Sequence, residues 1–253
     1  MTERHVKILE TLAKQQRIEV RVLAKMLDVS GVTVRKDLDI LESQGFIKRE
    51  HGFATMEPMD DVGRRLALRY GVKRRIARAA AASVTEGETV MIESGSCCTL
   101  LAEELTNNKR DITIVTNSVF LANHIRRAPF GKIILLGGYY QNESQVLVGS
   151  ITKKCAEIFI SDKFFIGVDG FTEKVGFTGK DHHRAQTVRD LAELATRIIV
   201  LTESDKFYNR GSVELVESGK VTAVYTDDRI PHDKERFLQN KNVKVHKVES
   251  NAA

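Results

Sequence analysis

Residues 29–52 read VSGVTVRKDLDILESQGFIKREHG, a capped helix followed by a basic stretch of alternating character. Ser30 is placed to cap that helix, its hydroxyl oxygen accepting from the free backbone N–H groups of the first turn. At about 100° per residue, Val34, Leu38 and Leu41 share one narrow face, Lys36 lies nearly opposite, and Thr33 and Arg35 sit on the flanks. A helix of this kind buries its apolar stripe and presents donors outward. Double-stranded DNA is the first candidate partner.

The preceding residues supply the rest of a helix-turn-helix. Val6, Leu9, Leu12 and Ala13 follow helical spacing, and Leu23, Met26 and Leu27 repeat it on a shorter helix that has to stop near Asp28. The third helix then enters the major groove with Thr33, Arg35 and Lys36 at base edges. Beyond Gly45, the stretch FIKREHGFA alternates and places Gly52 at a turn, the pattern of a β-hairpin wing whose Lys48, Arg49 and His51 reach phosphate. A three-helix bundle with a solvated charged face is the competing reading. The order of parts, helix, helix, turn, capped basic helix and basic wing within about 55 residues, favours DNA.

The block V29-S30-x-x-T33-V34-R35-K36-D37-L38-x-x-L41-E42-x-x-G45-x-I47-x-R49-x-H51-G52 resembles the N-terminal domain of the DeoR family of bacterial transcriptional regulators. Members are winged helix-turn-helix repressors, mostly of sugar-utilisation operons. The family commonly has a second glycine after His-Gly, where this chain has Phe53. That departure bears on the shape of the wing more than on the recognition helix.

At 253 residues and 42% hydrophobic content the chain accommodates two domains with ordinary cores. Its net charge of +5 favours polyanionic partners only modestly, because Asp and Glu nearly match Lys and Arg. Cys97, Cys98 and Cys155 neither pair in number nor match a zinc spacing, so reduced thiols of a cytoplasmic protein are expected. No apolar run approaches a bilayer span and the N-terminus opens into a charged helix rather than a signal peptide. No membrane association, no cofactor and no metal are expected.

Residues 57–61, with Pro58 and three acidic side chains, read as a break. The expected division is a DNA-binding domain over 1–56, a linker over 57–72 and a sensing domain over 73–253. Within residues 64–78, RRLALRYGVKRRIAR carries seven basic residues and no acid. It reads either as a second phosphate-tracking element or, preferably, as an entry helix that docks Ile76, Ala79 and Ala80 and leaves its basic face in water. A KR-x-IA-x-A stretch, here Lys73 to Ala81, is common in the family at this point and fits docking.

The remainder alternates apolar runs at 89–93, 112–116, 132–136, 164–168, 197–201, 221–225 and 243–246 with helical stretches at 98–106, 118–127, 183–196 and 232–240. Ile- and Val-rich runs separated by crossover helices imply an open α/β fold with a largely parallel sheet. A ligand is expected at the carboxyl ends of its strands. Small and polar residues collect there: Ser94-Gly95-Ser96, Thr116-Asn117-Ser118, Gly137-Gly138, and Gly167 with Asp169 and Gly170. Bare N–H groups and hydroxyls at such turns suit an anion, and Lys206 supplies a cation.

These loops extend the resemblance over nearly the whole chain. ESGSCCTLLAEEL is similar to the family's DSGTT-type loop, ITIVTNS to its TN loop, IILLGG to its GG strand, FFIGVDGF to its GxDG loop and LTESDKF to its DSSKF loop. The resemblance implies a sensor of sugar isomerase-like fold that binds a phosphorylated sugar or related metabolite. The implied positions are Ser94, Gly95, Ser96, Thr99, Thr116, Asn117, Gly138, Asp169, Gly170 and Lys206. Departures cluster at Arg184, Arg189 and Asp190, so specificity is expected nearby, with Asp181, His182 and His183 as participants.

An active sugar-phosphate isomerase or deaminase is the alternative. Such chemistry needs a proton-transferring group, and amino-sugar phosphate isomerase relatives place a histidine after the Asp-Gly pair and a carboxylate soon after. Here Phe171 and Gly176 occupy those places, which disfavours catalysis. The resulting expectation is a homo-oligomer, dimer or tetramer, that sets two DNA-binding domains on operator half-sites and shifts them when effector binds.

Overall fold

The computed structural model describes residues 2–43, 46–56 and 62–250. They fall into two compact units, Met1–Tyr70 and Gly71–Ala253.

In the first unit α1 (Glu3–Gln15), α2 (Val20–Met26) and α3 (Gly31–Ser43) are joined by β1 (Arg17–Glu19) and followed by β2 (Ile47–Glu50), β3 (Phe53–Met56) and α4 (Val62–Ala67). The strands form an antiparallel sheet in the order β1-β3-β2, so the wing is a hairpin with a third strand added from the α1–α2 connection. Its core is Ile8, Leu9, Leu12, Leu23, Val34, Leu38, Leu41, Phe46 and Ile47. Met26, expected on the buried stripe of the second helix, is 55% exposed, and Ala24 is buried with Leu23 instead. A seven-residue helix has room for one contact face, and Met26 points away from it.

Within the segment expected as a linker, residues 62–67 are helix α4, whose Val62, Leu66 and Ala67 are buried and which packs on α1. Residues 57–61 lie outside the described residues. The basic run 64–78 conceals two apolar faces: that of α4, and that of α5 (Tyr70–Ala81), which buries Ile76, Ala77 and Ala80 while Ala79 is half-buried. The solvated basic face expected on α5 is incomplete, because Lys73 is 3% exposed.

The second unit continues with β4 (Thr89–Ile92), α6 (Ser96–Asn108), β5 (Thr113–Thr116), α7 (Val119–Ile125), β6 (Lys132–Leu135), β7 (Tyr139–Gln141), β8 (Val146–Val148), α8 (Ser150–Ala156) and β9 (Ser161–Ile166). There follow β10 (Gly170–Thr172), β11 (Gly176–Gly179), α9 (His182–Ala192), β12 (Ala195–Leu201), β13 (Val213–Val216), β14 (Val221–Asp227), α10 (His232–Asn240) and β15 (Lys244–Val248). Seven strands, one at each apolar run, form a parallel sheet in the order β15-β14-β12-β9-β4-β5-β6. From β4 the chain adds strands toward one edge, and from β9 toward the other. The order therefore reverses between β4 and β9, where open α/β sheets leave a crevice at the carboxyl ends.

Two small elements have no counterpart in the apolar pattern. One is the β7–β8 hairpin; the other is the antiparallel sheet β10-β11-β13. The second encloses an aromatic cluster in which the Phe171 ring lies 5.0 Å from Phe177, 5.4 Å from Phe207 and 6.0 Å from Phe237 between centroids. Phe171, 4% exposed, is thus a core residue.

Candidate functional site

The DNA-facing candidates begin at the turn into α3. Ser30 Oγ accepts from Thr33 N at 3.1 Å and lies 2.8 Å from Thr33 Oγ1, while the Ser30 carbonyl accepts from Val34 N. This N-cap fixes the first turn, and Thr33 shares its hydroxyl with it. Arg35 and Lys36 are exposed and make no ion pair among the described residues. Val32, 60% exposed beside them, was not singled out by the sequence pattern. An apolar side chain at the start of a recognition helix suits a thymine methyl group.

Asp37, on the opposite side of α3, is buried and accepts from Arg4 Nε at 2.5 Å and Arg4 Nη2 at 3.0 Å, with His5 Nε2 at 3.1 Å. The Arg4 guanidinium holds this carboxyl below the usual carboxylate range. These bonds fasten the recognition helix to α1.

The wing separates residues that the sequence placed together. Lys48 pairs with Thr55, and Arg49 with Ala54, so pleating sends Lys48 and Arg49 to opposite faces. Arg49, expected at phosphate, is held by partners within the unit. Its Nε donates to Glu42 Oε2 at 2.9 Å, its Nη2 lies 2.5 Å from Asp39 Oδ1, and its backbone N–H donates to Glu42 Oε1. The guanidinium ties wing to α3. The tip is a two-residue turn, His51 (φ +48°) and Gly52 (φ +85°), and His51 is exposed there. Phe53, at the departure from the family pattern, carries the Arg17 guanidinium stacked 4.0 Å from its ring centre.

In the second unit, the ends of β12, β9, β4 and β5 are neighbours and bring most candidate positions to one edge. Gly95 and Gly167 face each other across the switch point so closely that a Cβ on Gly95 would stand 2.9 Å from Gly167 Cα. Glu93, directly after β4, fills the crevice floor: it accepts from Ser94 Oγ at 2.6 Å, Gly95 N at 2.8 Å and Gly167 N at 3.2 Å, a role that its place in the sequence pattern does not signal. The N–H of Gly95 is therefore not bare, as the turn composition had implied.

The donors lie one residue further on. Helix α6 has no side-chain cap, so the N–H groups of Ser96, Cys97 and Cys98 lack intrahelical partners. Lys206, half-buried in the turn after β12, acts electrostatically on Cys97 and makes no ion pair among the described residues. Burial pushes the thiols of Cys97 and Cys98 well above their ordinary range, which keeps them protonated. Asn117 donates from Nδ2 to the Leu147 carbonyl at 2.9 Å, while its enclosed Oδ1 has no partner among the described residues.

Other expected positions have internal duties. Thr99 Oγ1 donates back to the Gly95 carbonyl and is fully buried. Thr116 Oγ1 accepts from Ser118 N. A Cβ on Gly138 (φ +153°) would stand 2.1 Å from Thr152 Oγ1, so that glycine admits α8; one on Gly170 would stand 2.5 Å from the Asn209 carbonyl. Asp169 Oδ2 accepts from Lys180 N at 3.1 Å. Asp181 caps α9 through Arg184 N at 2.7 Å, and the exposed His182 and His183 rings meet edge to face. No group of three metal-ligating side chains occurs among the described residues, and no described helix is long and apolar enough to cross a membrane.

The chain matches the DeoR-like helix-turn-helix domain over residues 4–57 and the DeoR C terminal sensor domain over residues 69–228. It is 30% identical to the putative aga operon transcriptional repressor of Escherichia coli O157:H7, across 96% of this chain and 93% of that one. It is also 30% identical to the glycerol-3-phosphate regulon repressor of Escherichia coli K12, across 89% and 90%. A third relative is the transcriptional repressor GlcR of Bacillus subtilis, 30% identical across 91% and 89%. The relatives are regulators rather than enzymes, consistent with the buried Phe171. With both units matched in order, the chain belongs to the DeoR family of transcriptional regulators.

Proposed function

We propose that the chain represses a carbohydrate-use operon in the cytoplasm and that a phosphorylated sugar or related metabolite, bound at the strand ends, sets its hold on operator DNA. The observation that carries this reading is the uncapped amino end of α6 at the switch point, met at Cys97 by Glu203 of the turn that carries Lys206. Three N–H groups at a positive helix end, plus one cation, suit a phosphate. The partnerless Asn117 Oδ1 on the next strand end suits a hydroxyl donor of the sugar. Ser94, Ser96 and Asp169 supply further polar groups along the same edge, whereas Gly95, Thr99, Thr116, Gly138 and Gly170 shape it. The name of the glycerol-3-phosphate regulon relative points to a phosphorylated metabolite.

On DNA, Arg35 and Lys36 read or anchor at the major groove, Thr33 and Ser30 set the start of the helix, and Lys48 and His51 approach phosphate from the wing. A homo-oligomer, dimer or tetramer, presents two such units to paired half-sites. The test is a melting-temperature screen against sugar phosphates, followed by gel-shift titration on a duplex selected from a random library by the protein itself. One compound should both stabilise the protein and change its affinity for the duplex. Stabilisation without any change in DNA affinity would rule out the sensor reading.

A further inference from the structure

Lys73 is a buried cation on the first helix of the second unit, six residues after α4 ends at Ala67. Its Nζ lies 3.2 Å from Glu203 Oε1, and the pair is 3% and 8% exposed at the side chains. Glu203 opens the turn after β12 that carries Lys206: the Lys206 N–H donates to the Glu203 carbonyl at 3.1 Å. Its second carboxylate oxygen lies 3.9 Å from the thiol of Cys97, in the first turn of α6. One carboxylate thus touches the cation of α5, the amino end of α6 and the lysine-bearing turn.

The same turn is held from its other side. Ser204 donates through N and Oγ to Asp227, at the end of β14, at 2.8 and 2.7 Å. Two residues on from Lys73, Arg75 donates from Nε and Nη2 to the carbonyls of Glu249 and Ser250 at 2.7 and 2.9 Å. Ser250 N returns a bond to Asp228. Helix α5 is thereby fastened twice to the carboxyl edge of the sheet. Toward the amino terminus only Leu68 and Arg69 separate it from α4, which packs on α1 of the DNA-binding unit.

A buried ion pair contributes little net stability compared with apolar residues of the same shape, but its geometry is discrete and intolerant of displacement. Placed between a ligand-facing turn and the helix that joins the two units, it suits a relay. We propose that the Lys73–Glu203 pair transmits occupancy of the strand-end site to the DNA-binding unit. An anion that engages Lys206 shifts the turn that Glu203 opens, and the displaced carboxylate re-sets Lys73 and the first turns of α5. This rests on the sensor reading given above, and it assigns that reading a path.

The test uses full-length protein carrying Lys73→Met together with Glu203→Gln, which removes both charges of the pair while keeping their shapes; either change alone would take this counter-charge from the other. The probes are glycerol 3-phosphate, glucose 6-phosphate and inorganic phosphate, and the DNA is the duplex selected by the wild-type protein. The double variant should keep the probe-induced rise in melting temperature and the probe-free DNA affinity. The probe-induced change in DNA affinity, roughly 5–150-fold in coupled systems, should collapse to about one. A double variant that binds probe and duplex and keeps the wild-type change overturns the relay. So does one that loses probe binding in step with coupling, since the pair would then belong to the pocket. If no probe stabilises the wild-type protein, the sensor reading fails and the relay fails with it.

Discussion

Arg35 and Arg49 lie on the same unit, and they differ in what each already holds. Arg35 is exposed with no ion pair among the described residues, whereas Arg49 is bound by Glu42 and Asp39. Arg35→Ala should therefore cost about 1–3 kcal/mol on the selected duplex and less on random DNA, measured by fluorescence anisotropy. Equal losses on both would make it a phosphate contact. Arg49→Met should lower the melting temperature and weaken DNA binding while leaving the dependence of affinity on salt unchanged. A lost phosphate contact would instead reduce that slope by about one.

Helix α3 depends on α1 for its position, and Asp37 is the joint. Its carboxyl is held down mainly by the Arg4 hydrogen bonds. A group whose folded pKa is depressed contributes above its unfolded value and loses the contribution as pH falls through the folded one. Asp37→Asn should cost about 1–2 kcal/mol at pH 7, moderated because Arg4 is partly in water. In urea titrations that difference should narrow below about pH 4. Among the strand ends, Gly95→Ala sets a methyl group 2.9 Å from Gly167 Cα. It should destabilise by about 1–3 kcal/mol, whereas Gly31→Ala, with nothing within 4 Å, serves as the open-space control in calorimetry. The elements were unequally legible. The seven parallel strands announced themselves because strands covered on both faces are continuously apolar. The strands β1, β7, β8 and β10, three residues each, carry too few side chains to show a period. Helix α4 was hidden by Arg64 and Arg65, which occupy the positions between its buried ones. The site loops were visible as Gly and Ser after each strand. The charges that brace them were not: no local period links Lys73 with Glu203 or Glu93 with Gly167, so distant in sequence.

For the whole molecule, the proposed function makes binding of effector and binding of operator one equilibrium viewed from two ends. If a sugar phosphate weakens operator affinity by some factor, operator must weaken sugar phosphate affinity by the same factor. Calorimetric titration of the sugar phosphate with and without the duplex should return that equality. Unequal factors would mean that a second process, such as a change in subunit number, accompanies binding. The facing glycines at the switch point carry a consequence for genetics. Each is the other's floor, so a side chain gained at either position has nowhere to go, and no compensating change at the opposite position creates room, glycine being already the smallest residue. A selection for alleles that no longer respond to effector would return nothing larger than alanine at codons 95 and 167. Larger changes there would be scored as null alleles, and the centre of the sensor would look, on a mutational map, like a place of no regulatory interest.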